Sequence, residues 1–123
     1  MKIRIEDNSI RLRLRRSEVR RLQEERRIAV YTSLPEGRFE YVLELCESCQ
    51  TLNAKRTAEG IMVQLPAVAG RGWDASPQVG FEHTLMLKDG ETLRLLVEKD
   101  FVCLDRKPES QEDQYPNPKA DTL

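Results

Sequence analysis

The most constraining feature is the opening stretch, MKIRIEDNSIRLRLR, which alternates apolar and polar residues on both sides of Asp7-Asn8. Ile3 and Ile5 lead in and Ile10, Leu12 and Leu14 lead out, a spacing of two that belongs to strands. Asp7 and Asn8 both tolerate the left-handed backbone that a two-residue turn demands. The stretch therefore predicts a tight β-hairpin pairing Ile5 with Ile10 and Ile3 with Leu12. A loop one residue longer or shorter would set apolar side chains against charged ones, so the pattern fixes the parity.

The same register sets Arg4 opposite Arg11 and Lys2 opposite Arg13, with Arg15 beyond. Like charges directly opposite each other cost about 0.2–1 kcal/mol per pair. Negative company has to offset that cost. The sequence offers Glu40, Glu44, Glu91 and Glu98 as internal partners, with Glu40 and Glu44 the first choice, and an external anion as the alternative.

Charge is balanced over the whole chain (net −1, pI near 5.9) but not along it. Residues 1–27 carry ten basic and five acidic side chains, net +5, whereas 28–97 and 98–123 are each −3. The balance argues against a protein basic enough to bind nucleic acid with its whole surface. The gradient points instead to a front segment that meets its own acidic remainder or an acidic protein partner. At 123 residues and 39% hydrophobic, the chain is expected to form one domain over 1–106, followed by a polar, proline-containing tail over 107–123.

Lys2 and Arg4 interrupt any leader-like apolar run, and no apolar stretch is long enough to span a bilayer. A cytoplasmic setting without a membrane partner is the expectation. Three cysteines in such a chain are expected to be reduced thiols.

Ser17 is the expected cap of a surface helix reaching Arg27, with Val19 and Leu22 as its narrow apolar stripe. Strands follow at Ile28–Ser33 and Arg38–Glu47, around a turn at 34–37, and again at Thr51–Thr57. Ile61, Val63 and Leu65 make another inward row. Pro66 opens a short helix to Ala75, weakened by Gly70 and Gly72, with Trp73 as its anchor. Gly80–Leu87 and Glu91–Glu98 read as a second hairpin around an Asp-Gly turn, and apolar residues resume at 101–104. The fold class expected is α+β: a largely antiparallel twisted sheet, or partly open barrel, of about seven strands with two short helices.

Three stretches, MKIRIEDNSIRLRLRRSEV at the start, LRLLVEKDFVCL at 93–104 and YPNP at 115–118, resemble an uncharacterised bacterial family of domains of unknown function. The resemblance spans nearly the whole chain and implies a single domain with an intact N-terminus. It brings no catalytic residues with it.

Candidate chemistry is sparse. Cys46-Glu47-Ser48-Cys49 is a CxxC that could be a zinc knuckle, completed by Cys103 and His83, or a redox pair. Two ordinary small residues near a strand end are the plainer reading. His83 is the only histidine and falls in the apolar row of its strand, where a structural role fits better than a catalytic one. Glu98-Lys99-Asp100 reads as a hydrogen-bonded strand end rather than an acid/base set. No phosphate-binding glycine loop is present, and no aromatics interleave with the arginines as in sheet-based RNA binders. The functional expectation is a small non-catalytic binding module without a cofactor. Two alternatives stand beside it: an anion or nucleic-acid binder using Lys2, Arg4, Arg11, Arg13 and Arg15, and a metal protein using Cys46, Cys49, His83 and Cys103.

Overall fold

A computed structural model describes residues 1–101 together with Asp113, Tyr115 and Pro116. Cys103 and nearly all of the tail over 107–123 lie outside the described residues. The chain runs β1 (Lys2–Glu6), β2 (Ser9–Leu14), α1 (Arg16–Glu25), β3 (Arg27–Leu34), β4 (Gly37–Cys46), β5 (Asn53–Arg56), β6 (Gly60–Pro66), α2 (Ala67–Gly70), β7 (Gly80–Met86) and β8 (Thr92–Lys99). The α+β class holds. Among the described residues eight strands form two four-stranded sheets, β1-β2-β8-β7 and β3-β4-β6-β5, and no closed barrel. Within each sheet two antiparallel hairpins meet along a central parallel pair, β2 with β8 and β4 with β6, so both sheets are mixed.

Alternation decides which side chains enter the core shared by the two sheets. Leu12, Leu14, Leu95 and Val97 come from the first sheet, and Leu43, Val63 and Leu65 from the second; each is at most 2% exposed. The first hairpin has the predicted register, with Ile5 opposite Ile10 and Arg4 opposite Arg11, and Asp7 adopts the left-handed conformation (φ 50°).

The helix begins differently from expectation. Arg15, in extended conformation, is its first flanking residue, and Glu18 reaches back to accept the Arg15 backbone N–H at 2.8 Å. Ser17 sits within the first turn, where its backbone N–H and hydroxyl both donate to the Asp113 carboxylate. A glutamate and a distant aspartate thus do what Ser17 was expected to do. Val19 and Leu22 are fully buried, as the stripe predicts. On its exposed face Arg21 pairs with Glu25, one turn on, at 3.1 Å.

The expected helix at 66–75 is broken in two. α2 ends at Gly70, and a 3-10 turn covers Trp73–Ala75. Gly72 between them takes φ +71°, a conformation that interrupts helix and suits glycine. Trp73 is 1% exposed, and its indole N–H donates to the Gln78 carbonyl at 2.9 Å, the anchoring role expected of it.

Tyr115 returns to the body. Its N–H donates to the Asp100 carbonyl at 2.9 Å, and its ring lies under the Arg16 guanidinium and the Lys99 amine, at 5.4 and 4.9 Å from the ring centre. Burial lowers the pKa of Lys99, which Asp74 partly opposes; the Lys99 amine donates to the Ser76 carbonyl at 2.6 Å. No helix among the described residues is long and apolar enough to cross a membrane.

At Gly60 a β-carbon would stand 1.8 Å from the Glu40 carbonyl oxygen, a clash with backbone that no rotamer relieves. Gly60→Ala is therefore expected to cost about 2–4 kcal/mol in urea unfolding, and a cost under about 0.5 kcal/mol would contradict this packing. Asp113 gives a pH-dependent prediction. Burial opposes its ionisation, but the Ser17 hydrogen bonds and the Arg15 and Arg16 charges prevail and hold its carboxyl below the usual range. Its contribution is complete above the unfolded value of about 4 and is lost as pH falls through the lowered folded value. Asp113→Asn should thus lower the melting temperature more at pH 7 than in acid below the usual carboxylate range; an equal loss at both would contradict the assignment.

Candidate anion-binding face

The outer face of the first sheet is built from the residues that alternation turns away from the core. Cross-strand neighbours form three rows: Lys2, Arg13, Glu98 and Gly80; Arg4, Arg11, Leu96 and Glu82; Glu6, Ser9, Arg94 and Thr84. The predicted like-charge pairs occupy the first two positions of the first two rows. Their relief comes from β8. Glu98 lies 3.1 Å from Arg11 and 3.8 Å from Arg13, one carboxylate serving two guanidinium groups. Lys2 pairs with Asp100 at 3.1 Å and Arg4 with Glu6 at 3.0 Å.

Of the four glutamates proposed from sequence as partners, Glu98 alone ion-pairs with the basic residues of the hairpin. Glu40 and Glu44 belong to the second sheet, where Glu40 lies 3.9 Å from Arg27. Glu91 accepts a hydrogen bond from Asn8 at the hairpin tip. Glu98 takes this role because the strand beside β2 is β8 rather than β4.

Between the cations lies a depression of about 300 Å³, lined by Lys2, Ile3, Arg4, Arg11 and Arg13. Leu96, on the outer face but only 5% exposed, sits directly beside Arg11. The Arg11 and Glu98 side chains are themselves largely covered, at 28% and 26% exposed. Electrostatic contacts gain strength in such partly desolvated positions. Among the described residues, four cations line or flank the depression and three carboxylates, Glu6, Glu98 and Asp100, pair with them. At the far side Arg94 donates to Glu82 at 2.8 Å; that hydrogen bond and the Arg94 charge hold the Glu82 carboxyl below its ordinary range.

Arg15 does not join this group. It flanks α1 and faces Glu18 at 3.4 Å and Asp113 at 3.6 Å. Glu98, Lys99 and Asp100 also separate, with Glu98 on the outer face, Lys99 buried against Trp73 and Tyr115, and Asp100 paired with Lys2. They do not form one acid/base set. Asp100 and Glu6 are site neighbours that sequence reasoning missed, as it missed Asp113 beside Arg15 at the separate start of α1. Asp100 continues the β8 run, but its pairing with Lys2 follows only from the parallel seam, and nothing local marks Asp113.

The sulfur and imidazole candidates are not gathered either. Cys46 and Cys49 are joined in a disulfide with Cα atoms 5.5 Å apart, which replaces the expected reduced thiols at these two positions. His83 is on β7 in the other sheet, and Cys103 lies outside the described residues. Among the described residues no three His, Cys, Asp or Glu side chains are placed to hold a metal ion.

Fold and charged face together define an α+β domain of two mixed sheets with a basic depression on the outer face of one. The chain belongs to DUF7009, a family of unknown function whose sequence profile matches residues 1–119. No curated protein matches it significantly. No solved structure does so either.

Removing the shared carboxylate should expose the like-charge repulsion. Glu98→Gln is expected to destabilise the fold by about 0.5–1 kcal/mol at low ionic strength, with most of the loss recovered in 0.5 M salt. A loss independent of salt would contradict the electrostatic account.

Proposed function

We propose that this domain is a non-catalytic binding module that takes an acidic segment of a protein partner on the outer face of its first sheet. The observation that carries the reading is the depression ringed by Lys2, Arg4, Arg11 and Arg13. Arg11 and Arg13 are already drawn together by Glu98, which offsets part of the cost of ordering their side chains on binding. Glu98, a carboxylate shared by two guanidinium groups, supports a carboxylate ligand here, and a partner's carboxylates would add to or replace it. A peptide is favoured over RNA because, among the described residues, no aromatic ring lines the depression to stack a base. The setting we assign to this module is the bacterial cytoplasm.

The test is the binding of a fluorescent oligo-glutamate peptide, with a single-stranded RNA of equal charge as comparison. Arg11→Glu with Arg13→Glu should weaken peptide binding by about tenfold or more at low salt, and parent affinity should fall steeply as salt rises. Absence of peptide binding at low salt, binding unchanged by the double reversal, or tighter binding to the RNA would each overturn the proposal.

A further inference from the structure

Away from the basic face, the loop that leaves β4 carries the Cys46–Cys49 disulfide. Cys46 is on the outer side of its strand, because Leu43 and Leu45 take the core side. A second depression, of about 320 Å³, opens over this pair; Cys46, Cys49, Ser48, Gln50, Lys55 and Gln64 are among the residues lining it. We propose that Cys46–Cys49 is a thiol–disulfide exchange site for a small thiol that carries a carboxylate.

Three observations support the assignment. The two half-cystines are only three residues apart, and cross-links closing short loops constrain the unfolded chain least, so stabilisation is a weak reason for this one. The pair lies in a polar concavity rather than in the core cluster, which gives a thiolate room to approach. The two sulfurs are also unequal. Cys46 is 8% exposed whereas Cys49 is half-buried, and the Cys46 Sγ lies 3.6 Å from the Ser48 hydroxyl oxygen.

That inequality sets the direction of attack. An incoming thiolate bonds to Cys49 Sγ as the Cys46–Cys49 bond breaks, and the electron pair leaves with Cys46 Sγ. The Ser48 hydroxyl is placed to donate to the departing thiolate. A second thiolate then attacks the incoming sulfur of the mixed disulfide and releases Cys49 as thiolate. The two released thiolates take up the two protons lost by the incoming thiols. Two external thiols become one external disulfide, and the protein disulfide becomes a dithiol. Lys55, at the depression and without an ion-pair partner among the described residues, supplies the charge that selects a carboxylate-bearing thiol.

The test uses the full chain with Cys103→Ser, which leaves only the pair to report. Under native conditions reduced glutathione should open the disulfide, read as two new alkylation sites by intact mass, and oxidised glutathione should close it again. With Cys46→Ser added, the remaining Cys49 should form its mixed disulfide with oxidised glutathione about tenfold faster than Cys46 does in the Cys49→Ser counterpart. Lys55→Glu should slow reduction by glutathione several-fold while leaving reduction by cysteamine, which lacks a carboxylate, unslowed. A disulfide that opens only in denaturant overturns the proposal in the first measurement, whatever the variants do. Equal rates at Cys46 and Cys49, or equal slowing of both thiols by Lys55→Glu, would overturn it as well.

Discussion

The parallel seam between β2 and β8 holds the rest of the first sheet in place. Leu12 lies beside Val97 and Ile10 beside Leu95, and Leu12, Leu14, Leu95 and Val97 are all 0% exposed. Burying four such side chains is worth about 1.5–3 kcal/mol each, against about 0–1 kcal/mol for an exposed ion pair. Packing therefore sets the parity of both strands, and the charges go where parity sends them. Slipping either strand by one residue would drive Arg11, Arg13 or Glu98 into the core. The basic column on the outer face is a consequence of the aliphatic column on the inner one.

The second sheet repeats this plan, with β4 beside β6 as the parallel pair and an antiparallel strand at each edge. In both sheets the core side is mainly aliphatic, with Tyr41 and Phe81 among its aromatic members, while most of the charged groups lie on the outer side. The first sheet displays the depression among Lys2, Arg4, Arg11 and Arg13, and the second the depression over Cys46–Cys49. The two proposed activities thus use opposite surfaces of one framework, and a change at either can be made without touching the leucines between them.

What could be read in the sequence was what local chemistry determines. The first hairpin, its turn at Asp7-Asn8 and the facing of Arg4 on Arg11 follow from alternation alone, and the late hairpin follows from its Asp-Gly turn. The pairing of β2 with β8 links residues 85 positions apart, and alternation says which face a residue takes but not which strand lies next to it. For that reason Glu40 and Glu44 looked as suitable as Glu98, and one sheet was expected where there are two. The same limit applies at α1, whose start depends on Asp113 from the far end of the chain. At Cys46 and Cys49 the spacing was visible but not the loop path that brings the sulfurs together.

Residue-resolved native-state hydrogen exchange tests the seam most directly. As an interior strand bonded on both sides, β2 should have amides over Ile10–Leu14 that exchange, together with those of Leu95–Lys99, only through global unfolding. Exchange of β2 amides at rates far above the global limit, while β8 stays protected, would show that the first hairpin is not anchored to the last. The arrangement of Arg11 and Arg13 around Glu98 would then have no foundation.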